Sequence, residues 1–187
     1  MNTTSTAEGD YRSLLQTPTL AALGPGPRPG VQSVEALSAR LSQLTRKHCQ
    51  GTREADLLRA LTLLWHDHLD AAHEIAQGID DRDGALVHSM MHRREPDYWN
   101  SKYWFRRVGR HPAFAALALN SKRCLKEASR EDQASKLIPA GVWDPCAFVD
   151  ACQEAEPLPS SDPLLALLVK VQSLEFEAVM GCFLGLC

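Results

Sequence analysis

Apolar side chains recur at every third or fourth position along most of this chain, and no stretch alternates apolar with polar residues. That spacing limits the fold more than any other feature. A helix buries positions three and four apart, whereas a half-buried strand buries every second one. Val34, Leu37, Leu41 and Leu44 form one such stripe, ending at His48. A second runs from Arg53 through Leu57, Leu61, Leu64, Ala72, Ile75 and Ile79 to the polar turn Asp80-Asp81-Arg82-Asp83-Gly84, and predicts one long helix. A third helix is expected over residues 85–95, stopped by Pro96, because proline disfavours helical conformation in the residue before it.

Pro112 is placed to open a helix through Phe114, Leu117 and Leu119. Asp144-Pro145 and Asp162-Pro163 are sharper starts: aspartate caps the free N–H groups, and proline loses no hydrogen bond in the first turn. Residues 97–109 are aromatic and basic without a clear period, and are expected to be irregular. The expected fold is all-α: an irregular, single-domain helical bundle of about five to seven helices over residues 33–187. Residues 1–32 end in alternating Gly and Pro from Gly24 to Gly30. They are expected to form a flexible tail and linker, with Leu14, Leu15, Leu20 and Leu23 as the positions able to pin it.

The 187 residues suffice for one core, and 44% hydrophobic with 23% charged content excludes a disordered chain. A formal net charge of -3 gives no overall attraction to nucleic acid or acidic membranes, neither of which is expected as a partner. Residues 163–187 are apolar but interrupted by Lys170, Gln172, Glu175 and Glu177, which argues for a buried helix rather than a membrane span. Glu8 and Asp10 precede any positive charge, unlike a secretory signal. Cys49, Cys124, Cys146, Cys152, Cys182 and Cys187 show no C-x-x-C pair and read as reduced thiols of a soluble cytoplasmic protein.

Chemistry concentrates in residues 65–112, which hold His66, His68, His73, His88, His92 and His111, six of the seven histidines, with Trp65, Trp99 and Trp104. On a continuous helix His66, Asp70, His73 and Gln77 lie within about 60° of one another, as a ligand site or as a solvated face. His68 instead falls on the apolar stripe, where a buried imidazole needs a partner, structural or catalytic. His88, His92 and Glu95 share a face, and imidazoles one turn apart can share a metal. Should the turn at 80–84 fold the two helices antiparallel, Asp70, His73, His88, His92 and Glu95 become the candidate ligands of a divalent metal.

Arg93, Arg94, Lys102, Arg106, Arg107 and Arg110, set against Glu95 and Asp97, give residues 93–110 a local excess of about four positive charges. Guanidinium forks bind carboxylate or phosphate, and aromatic faces wall such a site. Arg93, Arg94, Asn100, Arg106 and Arg107 are therefore candidate binding residues for a small anionic metabolite. Tyr98, Trp99, Tyr103 and Trp104 would wall the pocket, with His68, His73, His88 or His92 moving protons. Ordinary packing, with arginines stacked on aromatics that fill the core, is the competing reading.

WHDHLDAAH (65–73) with HRREPDYWNSKYWFRRVGRHP (92–112) resembles a segment of small proteins of uncharacterised function, and that resemblance implies no activity. His66-Asp67 after Leu63-Leu64 is similar to the HD dyad of helical metal-dependent phosphohydrolases. This second likeness implies His48 as an upstream ligand and Asp144 or Asp150 as the downstream one. His48 stands only eighteen residues before the dyad, and His68 fills a position where that family has a small residue or a helix break. No G-x-S-x-G, Walker-type or dinucleotide glycine motif is present. Three functions follow from the residues: a pocket for an anionic metabolite, a metal-dependent hydrolase using the His/Asp cluster, and an interaction module presenting aromatic and arginine side chains. Oligomeric state is left open.

Overall fold

The computed structural model describes residues 3–48 and 50–187, and among these the regular structure is helical throughout. In chain order the helices are α1 (Thr3–Arg12), α2 (Val34–His48), α3 (Thr52–Trp65), α4 (Leu69–Ala76) and α5 (Arg82–Arg94), then α6 (Tyr98–Val108), α7 (Ala113–Glu127), α8 (Glu131–Leu137), α9 (Pro145–Ala155) and α10 (Pro163–Phe183). Ten helices among the described residues exceed the five to seven expected. The additions are α1 within the supposed tail, the short α8, the aromatic segment that coils into α6, and the long second stripe divided into α3 and α4.

Both Asp-Pro starts are helix caps. Asp144 Oδ1 accepts from the N–H of Cys146 at 2.9 Å and of Ala147 at 3.0 Å, and Asp162 Oδ1 accepts from Leu164 at 2.8 Å. Between them α9 and α10 bury Phe148, Val149, Leu168, Val171, Phe176 and Val179. Helix α10 is the central element, packing against α1, α3, α7 and α9. No helix is long and apolar enough to cross a membrane among the described residues.

The division between α3 and α4 has a tertiary cause. Asp67 takes a left-handed backbone conformation, φ 67°, and its carboxylate is 1% exposed. It accepts from the Arg28 backbone N–H at 2.9 Å, from Arg28 Nη1, and from Arg94 Nη2 at 2.6 Å. Arg94 also donates to Leu64 O, a carbonyl at the broken end of α3, and to Ala22 O and Gly24 O, both at 3.1 Å. Gly26, at φ 82°, passes so close that a Cβ there would sit 2.7 Å from the Asp67 carboxyl carbon.

The stretch from Tyr11 to Arg28 is thus packed onto the helices, where a flexible tail was expected. Tyr11, Leu14, Leu15 and Ala21 are buried, and Gln172 Nε2 donates to Ala21 O at 2.8 Å and Ala22 O at 3.0 Å. The cysteine reading also changes: Cys182 and Cys187 form a disulfide, leaving Cys124, Cys146 and Cys152 as thiols. Cys49 lies outside the described residues.

Candidate metal centre

The site is built where the chain turns from α4 into α5. Asp81 caps α5, its Oδ1 accepting from Asp83 N at 2.8 Å and Gly84 N at 3.0 Å. A Cβ on Gly84 would lie 2.1 Å from the Ile79 carbonyl oxygen, so only glycine fits the first turn of α5 against the segment that joins it to α4. Helix α6 then lies on α5, with buried Ser101 donating to the Ser89 carbonyl at 2.8 Å. That contact sets the register that brings Asn100 to His92 and Trp104 to His88.

Three imidazoles converge as a result. Ring centroids are 4.6 Å apart for His73 and His88, 5.2 Å for His73 and His92, and 4.7 Å for His88 and His92. One ligand nitrogen from each lies within 4.8 Å of the others, and no other three histidine, cysteine or acidic side chains gather in this way among the described residues. Trp104 stacks on His88 at 4.2 Å, and Arg107 sits over the Trp104 ring at 5.2 Å.

The protonation pattern suits a cation. His88 is 5% exposed and its Nε2 has no hydrogen-bond partner. Burial, reinforced by His92 and His73, pushes its pKa down to about 4. Burial likewise lowers His92, although Glu95 opposes the shift. Both rings are therefore neutral near pH 7, with lone pairs free of protons. His92 Nδ1–H donates to Glu95 Oε2 at 3.0 Å, which leaves Nε2 as the lone pair. The Asn100 amide nitrogen lies 3.0 Å from that Nε2 and 3.5 Å from Nδ1, and so rests over the face of the His92 ring, leaving the Nε2 lone pair open. A carboxylate behind a histidine is the arrangement that orients metal-binding imidazoles and raises their basicity.

Beside His88 opens a cavity of about 390 Å³, lined by Gln77, Asp80, Asp81, Trp104 and Arg107 among others. Trp104 and Arg107 are thus the members of the expected anion pocket that reach it. Asp70 is exposed and borders a separate hollow with His68 and Glu95, outside the histidine cluster. His68 Nε2–H donates to Gln32 O at 2.7 Å, a structural role.

Arg93 and Arg94 do not face this cavity. Arg93 is 1% exposed, paired with Glu175 and bonded to Gln172, with its guanidinium 4.5 Å over the Phe148 ring. Arg94 is wholly engaged by Asp67 and three carbonyls. Tyr98 donates to Glu156 at 3.3 Å beside a different cavity. Trp99 is 74% exposed and stacks on Tyr103 along the outside of α6, and Arg106 is exposed as well.

The HD likeness does not hold either. His66 is buried, Nε2–H donating to Leu14 O at 2.8 Å and Nδ1 accepting from Gln32 N at 3.1 Å, while Asp67 is bound to two arginines. His48 pairs with Asp10, Asp144 caps α9 and Asp150 binds Lys102. His111 bonds Asp83 at 2.8 Å, away from the cluster. The packing of the Asn100 amide over the His92 ring, and the stacking of Trp104 on His88, carry no mark in the sequence; an aspartate at position 97, three before Asn100, was the available sign of a helix cap there.

No protein-family model, curated protein or solved structure matches the chain.

Proposed function

We propose that this protein binds one divalent transition-metal ion through His73, His88 and His92 and acts as a metal-dependent hydrolase on a small anionic substrate. The observation that carries the reading is the buried His88 Nε2, which lacks any partner while two further imidazoles stand around it. A buried polar atom without a partner costs about 1–3 kcal/mol, and a bound ion removes that cost. Imidazole suits zinc, nickel, copper and iron. Metal–nitrogen bonds of about 2.0–2.1 Å require ligand atoms about 3.3 Å apart in a tetrahedron, so the rings close inward from the present 4.8 Å limit.

Three neutral ligands leave the ion's double charge uncompensated, which favours an anion or water at an open position. An ion so placed polarises water and oxyanions as a Lewis acid. The cavity beside His88, with Arg107 on its wall, supplies the space and one guanidinium. Arg93 and Arg94 take no part.

Metal content tests the reading. Untagged protein from medium supplemented with zinc, manganese, iron and nickel is expected to carry close to one equivalent, reduced severalfold by His73→Ala or His88→Ala. Less than about one-tenth equivalent in the unaltered protein would remove the proposal, given the affinity expected of such ligands. Copper(II) titration gives a second readout, because quenching should be largest for Trp104, stacked 4.2 Å from His88, and smaller in Trp104→Phe.

A further inference from the structure

We infer that the substrate of this centre carries an ammonium beside its anionic group, and is an α-amino acid derivative whose carboxylate pairs with Arg107 and whose ammonium pairs with Asp80; this rests on the three-histidine reading. The cavity has a buried end and an exposed one. At the inner end stands His88, 5% exposed, with the Nε2 that lacks a partner. At the mouth stand Arg107 and Asp80, whose side chains are 51% and 101% exposed. Ala76, Ile79 and Ala85 add apolar surface to the same walls.

Arg107 Nη2 lies 3.9 Å from Asp80 Oδ1, too far for a hydrogen bond. Trp104 supports the guanidinium, which sits 5.2 Å over its ring. Two opposite charges therefore stand side by side at the mouth with their hydrogen-bonding groups open to a ligand. Asp81 on the same wall is engaged instead: its Oδ1 caps α5, and its Oδ2 accepts from Arg53 Nε at 2.7 Å. It still adds a second negative charge to the lining.

That balance of charge selects the ligand. Two carboxylates set against one guanidinium repel a doubly charged phosphate ester, whereas a carboxylate carries one charge and fits the guanidinium fork through two parallel hydrogen bonds. An α-amino acid holds its ammonium and its carboxylate on one carbon, so its charges face Asp80 and Arg107 in complementary order. A volume of about 390 Å³ is within the usual range for a small-molecule site. With the head group held at the mouth, the rest of the molecule extends past the apolar side chains to the ion at His88.

The probes are aspartate β-hydroxamate and succinate monohydroxamate, which differ by one ammonium. Both carry a carboxylate at one end and, at the other, a hydroxamate that chelates a divalent ion. Their binding to the cobalt(II)-loaded full chain is read from the cobalt(II) absorption bands in the parent, Asp80→Asn and Arg107→Gln. The parent should bind aspartate β-hydroxamate about threefold more tightly than succinate monohydroxamate, the scale of one solvent-exposed ion pair. In Asp80→Asn the two probes should bind equally, and Arg107→Gln should weaken both. Equal affinity in the parent, or a preference that survives Asp80→Asn, would overturn the inference, as would a cobalt(II) spectrum that neither probe changes. Failure of the parent to bind cobalt(II) at all would instead remove the three-histidine reading, a different result. Both substitutions are at exposed side chains, so the variants are expected to fold, which circular dichroism checks.

Discussion

Replacing Asp67 by asparagine keeps the side chain's shape and deletes one charge from the centre of the fold. In the native protein its carboxylate is 1% exposed and faces two guanidiniums, Arg28 at 9% and Arg94 at 0% side-chain exposure. Removing one partner of a buried ion pair costs about 3–5 kcal/mol, because the other charge stays out of water. The lower end applies here: Arg28 lies near the edge and can turn to solvent, and Arg94 keeps its bonds to Leu64, Ala22 and Gly24 carbonyls. About 3 kcal/mol corresponds to a drop of about 6–12 °C in Tm for a domain of this size. Urea unfolding followed by circular dichroism measures it directly. Adding Arg28→Gln should restore part of the loss, since an unpaired charge is then removed. A loss below about 1 kcal/mol, the value of a surface pair, would refute the buried-pair reasoning and with it the exclusion of Arg94 from ligand binding.

Glu95→Gln should weaken zinc(II) binding about 10- to 100-fold, the usual effect of losing a carboxylate behind a metal-binding imidazole; unchanged affinity by chelator competition would show that the 3.0 Å bond to His92 has no part in the site. Asp83, hydrogen-bonded by His111 and Arg53, is held at about 2, below its ordinary 3.8. Between those values the unfolded chain binds more protons, so Asp83 contributes stability above about pH 4 and loses it as pH falls towards 2, by about 2 kcal/mol in all. The stability gap between the parent and Asp83→Asn, measured by urea titration of chelator-treated protein, should accordingly shrink across that interval; a gap that does not vary with pH would contradict the assignment.

Much of the helical framework was legible because its signals are local. The stripe from Val34 to Leu44, the stop before Pro96 and the Asp-Pro caps each lie within about three turns or fewer, and α2, α5, α9 and α10 follow them. The break after Trp65 was not legible. Leu64, Ala72 and Ile75 keep helical spacing across it, and what interrupts the helix is Asp67 bound by Arg28 and Arg94, which stand 39 and 27 residues away. The same ion cluster converts a Gly/Pro-rich segment that looked like a tail into a packed strap. Helix α6 was missed for a different reason. Its Trp99 and Tyr103 are exposed while Ser101 is buried, so apolarity does not mark its inner face.

The candidate site divides along the geometry of one helix. His88 and His92 are a turn apart on α5, so they share a face whatever the tertiary fold, and His73 joins them once Gly84 permits the close turn from α4. Arg93 and Arg94 are neighbours of His92 in sequence, but each residue along a helix rotates about 100°, so they point about 100° and about 200° away from it. Their partners, Glu175 and Asp67, stand 82 and 27 residues distant. A count of charges along residues 93–110 merges groups that the helix sends to opposite sides. The rotation alone already forbids His92, Arg93 and Arg94 from serving one small ligand. Of the cations in that segment, Arg107 is left on the cavity wall, because it follows Trp104 by three residues on α6 and so stays on the side that faces His88.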